Sequence, residues 1–121
     1  MPQLIIHYSD NIDIPKRWQP VLHKIHRGIA ETAGIDVMKC KGRAIRVSDY
    51  AVGDQSSGQA FANLQITIFE GHAESVLRKI GANSLDILKD SISTELECQI
   101  TVEVRTMSRK RYFKSHQTSM R

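Results

Sequence analysis

The sequence predicts an α/β fold in which two consecutive βαβ units form a four-stranded sheet with two helices on one face. Apolar residues alternate with polar ones in four short segments, as in strands with one buried face. In two longer segments between them, apolar residues recur every three or four positions, as in amphipathic helices. We expect a single domain over residues 1–121, with βαβ units at 2–52 and 60–106 and a basic tail at 107–121.

The first unit begins almost at the first residue. Residues 4–6 are an aliphatic run that predicts a strand. A helix is expected to start near Pro15, because proline suits the first helical turn, and to end at Gly34. Its apolar stripe is Trp18, Leu22, Ile25 and Ile29. Residues 42–50 alternate again, which predicts the second strand.

A loop at residues 53–58 separates the two units, because Gly, Asp and Ser dominate it. Leu64, Ile66 and Ile68 mark the third strand. The second helix is expected from Ala73 to about Glu95, with a buried side formed by Val76, Leu77, Ile80, Ile87, Leu88 and Ile92. The fourth strand contains Cys98, Ile100, Val102 and Val104. Helices on one face leave the other face of the sheet uncovered, and self-association is the natural way to bury it.

Composition favours a globular protein, since 40% of the residues are hydrophobic and 25% are charged. No apolar run approaches the roughly 20 residues of a membrane helix. The N-terminus lacks the basic and apolar stretches of a signal peptide, so we expect a cytoplasmic protein. Cys40 and Cys98 are expected to be two buried thiols, since two cysteines do not make a disulfide framework.

Positive charge is concentrated at the C-terminus. From Arg105 onward there are six positive residues and no acidic one, whereas residues 1–104 carry 11 positive and 13 negative residues. Such a tail can bind nucleic acid, an anionic substrate or a neighbouring subunit. Composition alone leaves all three open.

Pro2 is the candidate catalytic residue. Methionine aminopeptidase removes Met1 when a small residue follows, so the mature chain is expected to begin with the secondary amine of proline. A terminal amine titrates at about 7.7–8.0. Burial and cationic neighbours lower that pKa, which makes the amine a usable general base at neutral pH.

The chain resembles the 5-carboxymethyl-2-hydroxymuconate isomerase family of the tautomerase superfamily, which also contains 4-oxalocrotonate tautomerase and macrophage migration inhibitory factor. Residues 1–6 (MPQLII) and 9–12 (SDNI) carry the resemblance. It continues through Arg43, Asp54, Ala60, Phe61, Gly71, Phe113 and Lys114, with similar spacing between elements. The resemblance implies the double βαβ fold, a homotrimer and Pro2 as a base that needs no cofactor.

The same resemblance implies cationic residues that hold substrate carboxylates and polarise the carbonyl, as a developing enolate requires. Arg43 matches a family arginine. Lys41 stands where the bacterial isomerase has an arginine, and His72, after Gly71, stands where a substrate-binding arginine is expected. Lysine lacks the bidentate fork of arginine, and histidine is often neutral at pH 7. The proton-transfer machinery is therefore expected to be intact, while the substrate is left open.

Other motifs give weaker indications of function. His23 and His26 lie three residues apart on the first helix, but no further ligand has suitable spacing, so we expect no metal site. His7 is interpreted as a packing or interface residue. Residues 109–113 mix basic and aromatic side chains as a nucleic-acid surface does, but residues 112–114 fall where the family has its own aromatic and lysine. We interpret that segment as a subunit contact or a wall of the active site.

The resulting hypothesis is an isomerase of aromatic catabolism, most similar to 5-carboxymethyl-2-hydroxymuconate delta-isomerase. It moves a proton on an unsaturated 2-keto or 2-hydroxy acid and uses neither nucleic acid nor a membrane. Pro2 is the base, and Arg43, Lys41 and His72 bind substrate. One alternative is a phenylpyruvate-type keto–enol tautomerase. The other is a non-catalytic trimeric binding protein that retains the fold.

Overall fold

The structure, a computed structural model, describes residues 1–14 and 17–118. Its strands are β1 (Gln3–Ser9), β2 (Lys41–Val47), β3 (Gln59–Phe69) and β4 (Glu97–Met107), and its helices are α1 (Gln19–Ala33) and α2 (Glu74–Ser91). Two short 3-10 helices, Val37–Lys39 and Arg109–Arg111, precede β2 and follow β4. The elements have the order expected from the sequence.

The sheet has the strand order β2-β1-β3-β4. β1 pairs in parallel with β2, and β3 pairs in parallel with β4, so each half of the chain is a βαβ unit. The halves join through the antiparallel pairing of β1 with β3. This confirms the predicted α/β fold.

Both helices pack on one face of the sheet and form one core with it. Alternate residues of β1 and β3 (Leu4, Ile6, Leu64, Ile66 and Ile68) are almost fully buried, and they contact Ile25 and Ile29 of α1 and Ile80 and Leu88 of α2. Gly42 of β2 lies directly under α1, where an added Cβ would come within 2.8 Å of His26 Nε2. The opposite, outer face carries half-buried and exposed side chains, among them Ile45.

The start of the first helix differs from the sequence expectation. Pro15 lies outside the described residues, and α1 begins at Gln19, with Pro20 in its first turn. Gly34 ends the helix as expected, in a left-handed conformation with φ of 67°. The predicted stripe is buried, with Trp18 immediately before the helix.

β2 and α2 also end earlier than expected. β2 stops at Val47 rather than near residue 50, because its partner β1 ends at Ser9 and the ladder closes with Asp10 N–H donating to the Val47 carbonyl at 3.0 Å. α2 stops at Ser91 rather than near residue 95. The following Ile92 is extended, and Ser93 forms an isolated bridge with Asp13, so tertiary pairing overrides the helical pattern there.

Candidate active site

The N-terminus lies at one edge of the sheet, which we call the amine end. Because β1 and β2 are parallel and β3 runs opposite to β1, the first residues of β1 and β2 meet the last residues of β3 and β4 there. Gln3 pairs with Lys41 on one side and with Thr67 on the other. The topology thus brings the N-terminus, the chain after β4 and loops from both βαβ units to one place.

Pro2 is fixed rigidly at this end. Its carbonyl accepts a hydrogen bond from the Lys41 backbone N–H at 3.0 Å, which extends the β1–β2 ladder by one residue. The Pro2 side chain is almost completely buried, and only 7% of Met1 is exposed. Met1 and Pro2 are joined by an amide bond whose nitrogen lone pair is delocalised.

The α-amino group of Met1 has a perturbed pKa. Burial lowers that pKa below its usual value, the positive charges of Lys41 and Lys114 lower it further, and Lys39 adds a smaller effect. Cys40 acts in the opposite direction. Desolvation and nearby cations both favour the neutral, proton-accepting amine, so the environment suits an amine base.

A cavity of ≈ 440 Å³ opens beside Met1. Its walls come from three segments: the connection after α1, the end of β3 and the chain after β4. The lining residues are Met1, Gly34, Ile35, Asp36, Lys39, Phe69, Arg109, Tyr112 and Lys114. The lining thus combines apolar and aromatic surface with three cations and one carboxylate, as a small-molecule site requires.

An aromatic and cationic cluster forms one wall of this cavity. The Arg109 guanidinium carbon lies 4.3 Å from the centre of the Phe69 ring, a cation–π contact. The Tyr112 ring meets the same Phe69 ring edge-on, with centroids 5.1 Å apart. Phe113, by contrast, is 89% exposed. The tail therefore contributes Tyr112 and Lys114 to the cavity, and the Phe113 side chain points elsewhere.

Within a single chain, the four expected site residues do not lie at one place. Lys41 adjoins the amine, and its Nζ donates to the Lys39 carbonyl at 3.0 Å. Arg43 lies on the outer face of the sheet, where Nη1 donates to Gln3 Oε1 at 2.9 Å. His72 follows β3 at the amine end but does not line the cavity.

The sequence assigned no role to Lys39 or Phe69, and it placed Arg109 within a segment interpreted as a subunit contact or a wall of the active site, without a role of its own. No local pattern identifies Phe69 as a site residue, since in the sequence it is only the last residue of the alternating β3 segment. It reaches the cavity only because β3 ends beside β4. The run of basic residues after β4 was the available signal for Arg109.

Among residues 1–14 and 17–118, no three His, Cys, Asp or Glu side chains are grouped so that they can hold a metal ion. None of the helices there is long and apolar enough to cross a membrane.

Similarity to known structures extends over nearly the whole chain. A 5-carboxymethyl-2-hydroxymuconate isomerase from Deinococcus radiodurans R1 is 25% identical with a TM-score of 0.80, over 96% of this chain and 90% of that one. A macrophage migration inhibitory factor-like protein from Entamoeba histolytica is 17% identical with a TM-score of 0.72, over 98% of both chains. A fused 4-OT symmetric trimer is 11% identical with a TM-score of 0.76, over 97% and 94%.

The latter two similarities establish the fold, which is that of the tautomerases and of macrophage migration inhibitory factor. No curated protein is significantly similar to the chain. The family model of 5-carboxymethyl-2-hydroxymuconate isomerase matches residues 2–121. This match starts at Pro2 and runs through the tail, so the chain belongs to the 5-carboxymethyl-2-hydroxymuconate isomerase family.

Proposed function

We propose that the chain, once Met1 is removed, is a keto–enol isomerase whose general base is the Pro2 nitrogen. The observation that carries the proposal is the setting of the N-terminus: a buried amine with a lowered pKa beside a cavity that three cations line. Removal of Met1 transfers the role of terminal amine to Pro2 and vacates the space that Met1 fills. The Pro2 nitrogen then has a localised lone pair next to the cavity that Met1 lines.

The reaction follows from that arrangement. The neutral amine takes a proton from a carbon next to the carbonyl of an unsaturated 2-keto acid. From the enol form of that acid it takes the hydroxyl proton instead. The resulting dienolate carries negative charge on oxygen, which a nearby cation stabilises. The protonated amine then returns the proton to another carbon of the conjugated system, which completes a 1,3- or 1,5-shift without a cofactor.

We assign Lys41, Arg43 and His72 to the substrate. Lys41 is the strongest structural candidate for the enolate oxygen or a nearby carboxylate, because its charge acts on the amine itself. Arg43 lies on the outer face of the sheet, so it serves a site only where that face meets another copy. His72 stands at the same end of the sheet and would act at the margin of the site.

We further propose that the protein is a homotrimer in the cytoplasm. The outer face is uncovered in the single chain, and exposed Ile45 lies on it; a solved relative is a symmetric trimer. Burying this face would bring Arg43 to a subunit boundary. Sedimentation equilibrium is expected to give three times the chain mass at micromolar concentration, whereas a monomer would contradict the assembly.

The substrate is tested with a panel of enol acids on a sample beginning at Pro2. Turnover of 5-carboxymethyl-2-hydroxymuconate above the other acids supports an isomerase of aromatic catabolism. Preference for phenylenolpyruvate supports the phenylpyruvate-type alternative, which the aromatic wall of Phe69 and Tyr112 favours. No turnover of any panel member would leave the trimeric binding protein as the better account.

A further inference from the structure

The tail after β4 is anchored at the cavity by specific contacts. Ser108 Oγ accepts from Lys110 N–H at 3.3 Å and starts the 3-10 turn of residues 109–111. That turn brings Arg109 and Tyr112 onto Phe69, the last residue of β3. Aromatic pairs of this kind contribute beyond the area they bury, so the two contacts fix the path of the chain up to Lys114.

The N–H groups of the Arg109 guanidinium are available to bind a ligand. The guanidinium stacks on Phe69 through its face, which leaves the N–H groups at its edge available. Among residues 1–14 and 17–118 it makes no side-chain hydrogen bond, and the ion pairs there are Arg78–Glu74 and Arg105–Glu103. An arginine held flat by an aromatic ring and facing a cavity is suited to bind a carboxylate with two parallel hydrogen bonds.

The charge of the cavity points the same way. Lys39, Arg109 and Lys114 line it, and Asp36 is the single acidic residue among the described lining. Asp36 Oδ1 already accepts from the Met38 backbone N–H at 2.9 Å, as the cap of the first 3-10 helix. The excess of cations over anions therefore fits a ligand with more than one negative charge.

We propose that Arg109 is a specificity-determining residue that binds a second carboxylate of the substrate, remote from the reacting carbon. The inference rests on the proposed function and adds to it a residue of this chain that distinguishes acids with two or more carboxylates from acids with one. Phe69 and Tyr112 provide the surface for the planar middle of such a molecule. Lys114 adds a second positive charge from the same anchored tail.

The test compares three charge variants of the form beginning at Pro2. Arg109→Gln is expected to raise KM for a dicarboxylate enol acid about tenfold or more, the low end for a charge-assisted hydrogen bond. KM for phenylenolpyruvate, which has one carboxylate, should change by no more than about twofold. Arg111→Gln is the matched control, because it removes the same charge from the same 3-10 turn but does not line the cavity.

A loosened tail is distinguished from a lost charge by two further variants. Arg109→Lys keeps the positive charge and is expected to recover most of the affinity for the dicarboxylate. Tyr112→Leu weakens the contact with Phe69 without changing charge, so it should raise KM for both substrates alike. Equal effects of Arg109→Gln on both substrates, or an equal effect of Arg111→Gln, would overturn the proposal.

A binding measurement tests this inference independently of the proposed catalytic function. Calorimetry with adipate, a saturated dicarboxylate, and with hexanoate, its single-carboxylate counterpart, needs no turnover. Adipate binding that is lost in Arg109→Gln and kept in Arg111→Gln supports the carboxylate site even if no enol acid is turned over. Turnover of enol acids together with adipate binding that Arg109→Gln leaves unchanged would refute the Arg109 assignment and leave Pro2 untouched.

Discussion

The two ends of the sheet differ in chemistry more than in shape. At the edge opposite the amine end, which we call the loop end, a cavity of ≈ 280 Å³ lies between the end of β1 and residues 48–59. Its described lining includes Asp10 and Asp49 and no cation. The amine end has a cavity of ≈ 440 Å³ with three cations and the chain's terminal amine. A second cavity at the loop end has Arg17 and Arg46 in its lining, together with Asp10 and Asp13. Both ends offer space, but only the cavity of the amine end combines cations with the terminal amine as a base.

The strands explain why the ends differ. Parallel pairing within each βαβ unit places the starts of β1 and β2 beside the ends of β3 and β4. The first residue, the chain after α1 and the tail after β4 therefore meet at the same edge. At the loop end, the chain turns between elements and contributes mostly polar turn residues.

The largest effect of a substitution is expected at Arg43. Another arginine of the same strand, Arg46, provides the control. Arg43→Ala should lower kcat/KM for carboxylate-bearing enols by about 1.5–3 kcal/mol, the range for a charge-assisted hydrogen bond. Enols without charge should be affected much less. Arg46→Ala removes the same charge three residues further along, at a cavity of the loop end, and should leave these rates unchanged.

Two results would contradict this prediction for Arg43. Equal losses on charged and neutral enols would mean that Arg43 supports the fold through its hydrogen bond with Gln3. A loss in Arg46→Ala as large as that in Arg43→Ala would mean that the two ends do not differ in substrate binding.

A shift in pH dependence is expected from Lys41. Its positive charge lowers the pKa of the terminal amine, so Lys41→Gln should raise that pKa. The active form is the unprotonated amine, so the ascending limb of the pH–rate profile should move to higher pH. Activity well above the limb should also fall, because Lys41 is the proposed partner of the enolate oxygen or of a substrate carboxylate.

Lys89→Gln is the control for Lys41, because Lys89 lies in the last turn of α2 and has no effect on the amine. Its profile should match that of the parent protein. A limb that stays in place in Lys41→Gln would show that burial alone, the larger cause, sets the pKa of the amine.

Most of the fold follows from the sequence, whereas only part of the site does. The alternation of Leu64, Ile66 and Ile68 identifies β3 because one face of that strand is completely buried. The ends of β2 and α2 were misjudged because tertiary pairing of Asp10 and Ser93 decides them. Local pattern carries no information on such distant partners.

The site shows the same division. Pro2 is visible in the sequence because its role depends on its position at the terminus. Phe69 and Arg109 are separated by 40 positions, and they meet only through the register of β3 with β4 and the 3-10 turn that follows. Their contact depends on three-dimensional structure, so no spacing rule predicts it.

The smallest effect is expected at His72, which lies at the amine end but outside the cavity lining. His72→Arg introduces a permanent charge and should improve turnover of a tricarboxylate by about 0.2–1 kcal/mol, the range for an exposed ion pair. Steady-state kinetics on a tricarboxylate and a monocarboxylate measure it. No selective gain for the tricarboxylate would exclude His72 as the replacement for a substrate-binding arginine.

The most direct test of the account compares two preparations that differ by one residue. One begins at Met1 and the other at Pro2, each verified by intact mass. Both should fold and assemble alike, since residues 2–121 are the same in both. The Met1 form should be slower by at least about a thousandfold, because its Pro2 nitrogen is an amide that does not accept a proton. The Pro2 form should also show a single ascending limb at a pH below the usual amine range, since the new amine lies next to the Met1 amine, whose pKa burial and cations lower. Comparable tautomerase rates from a verified Met1 form would contradict the account, because Pro2 would then not be the base.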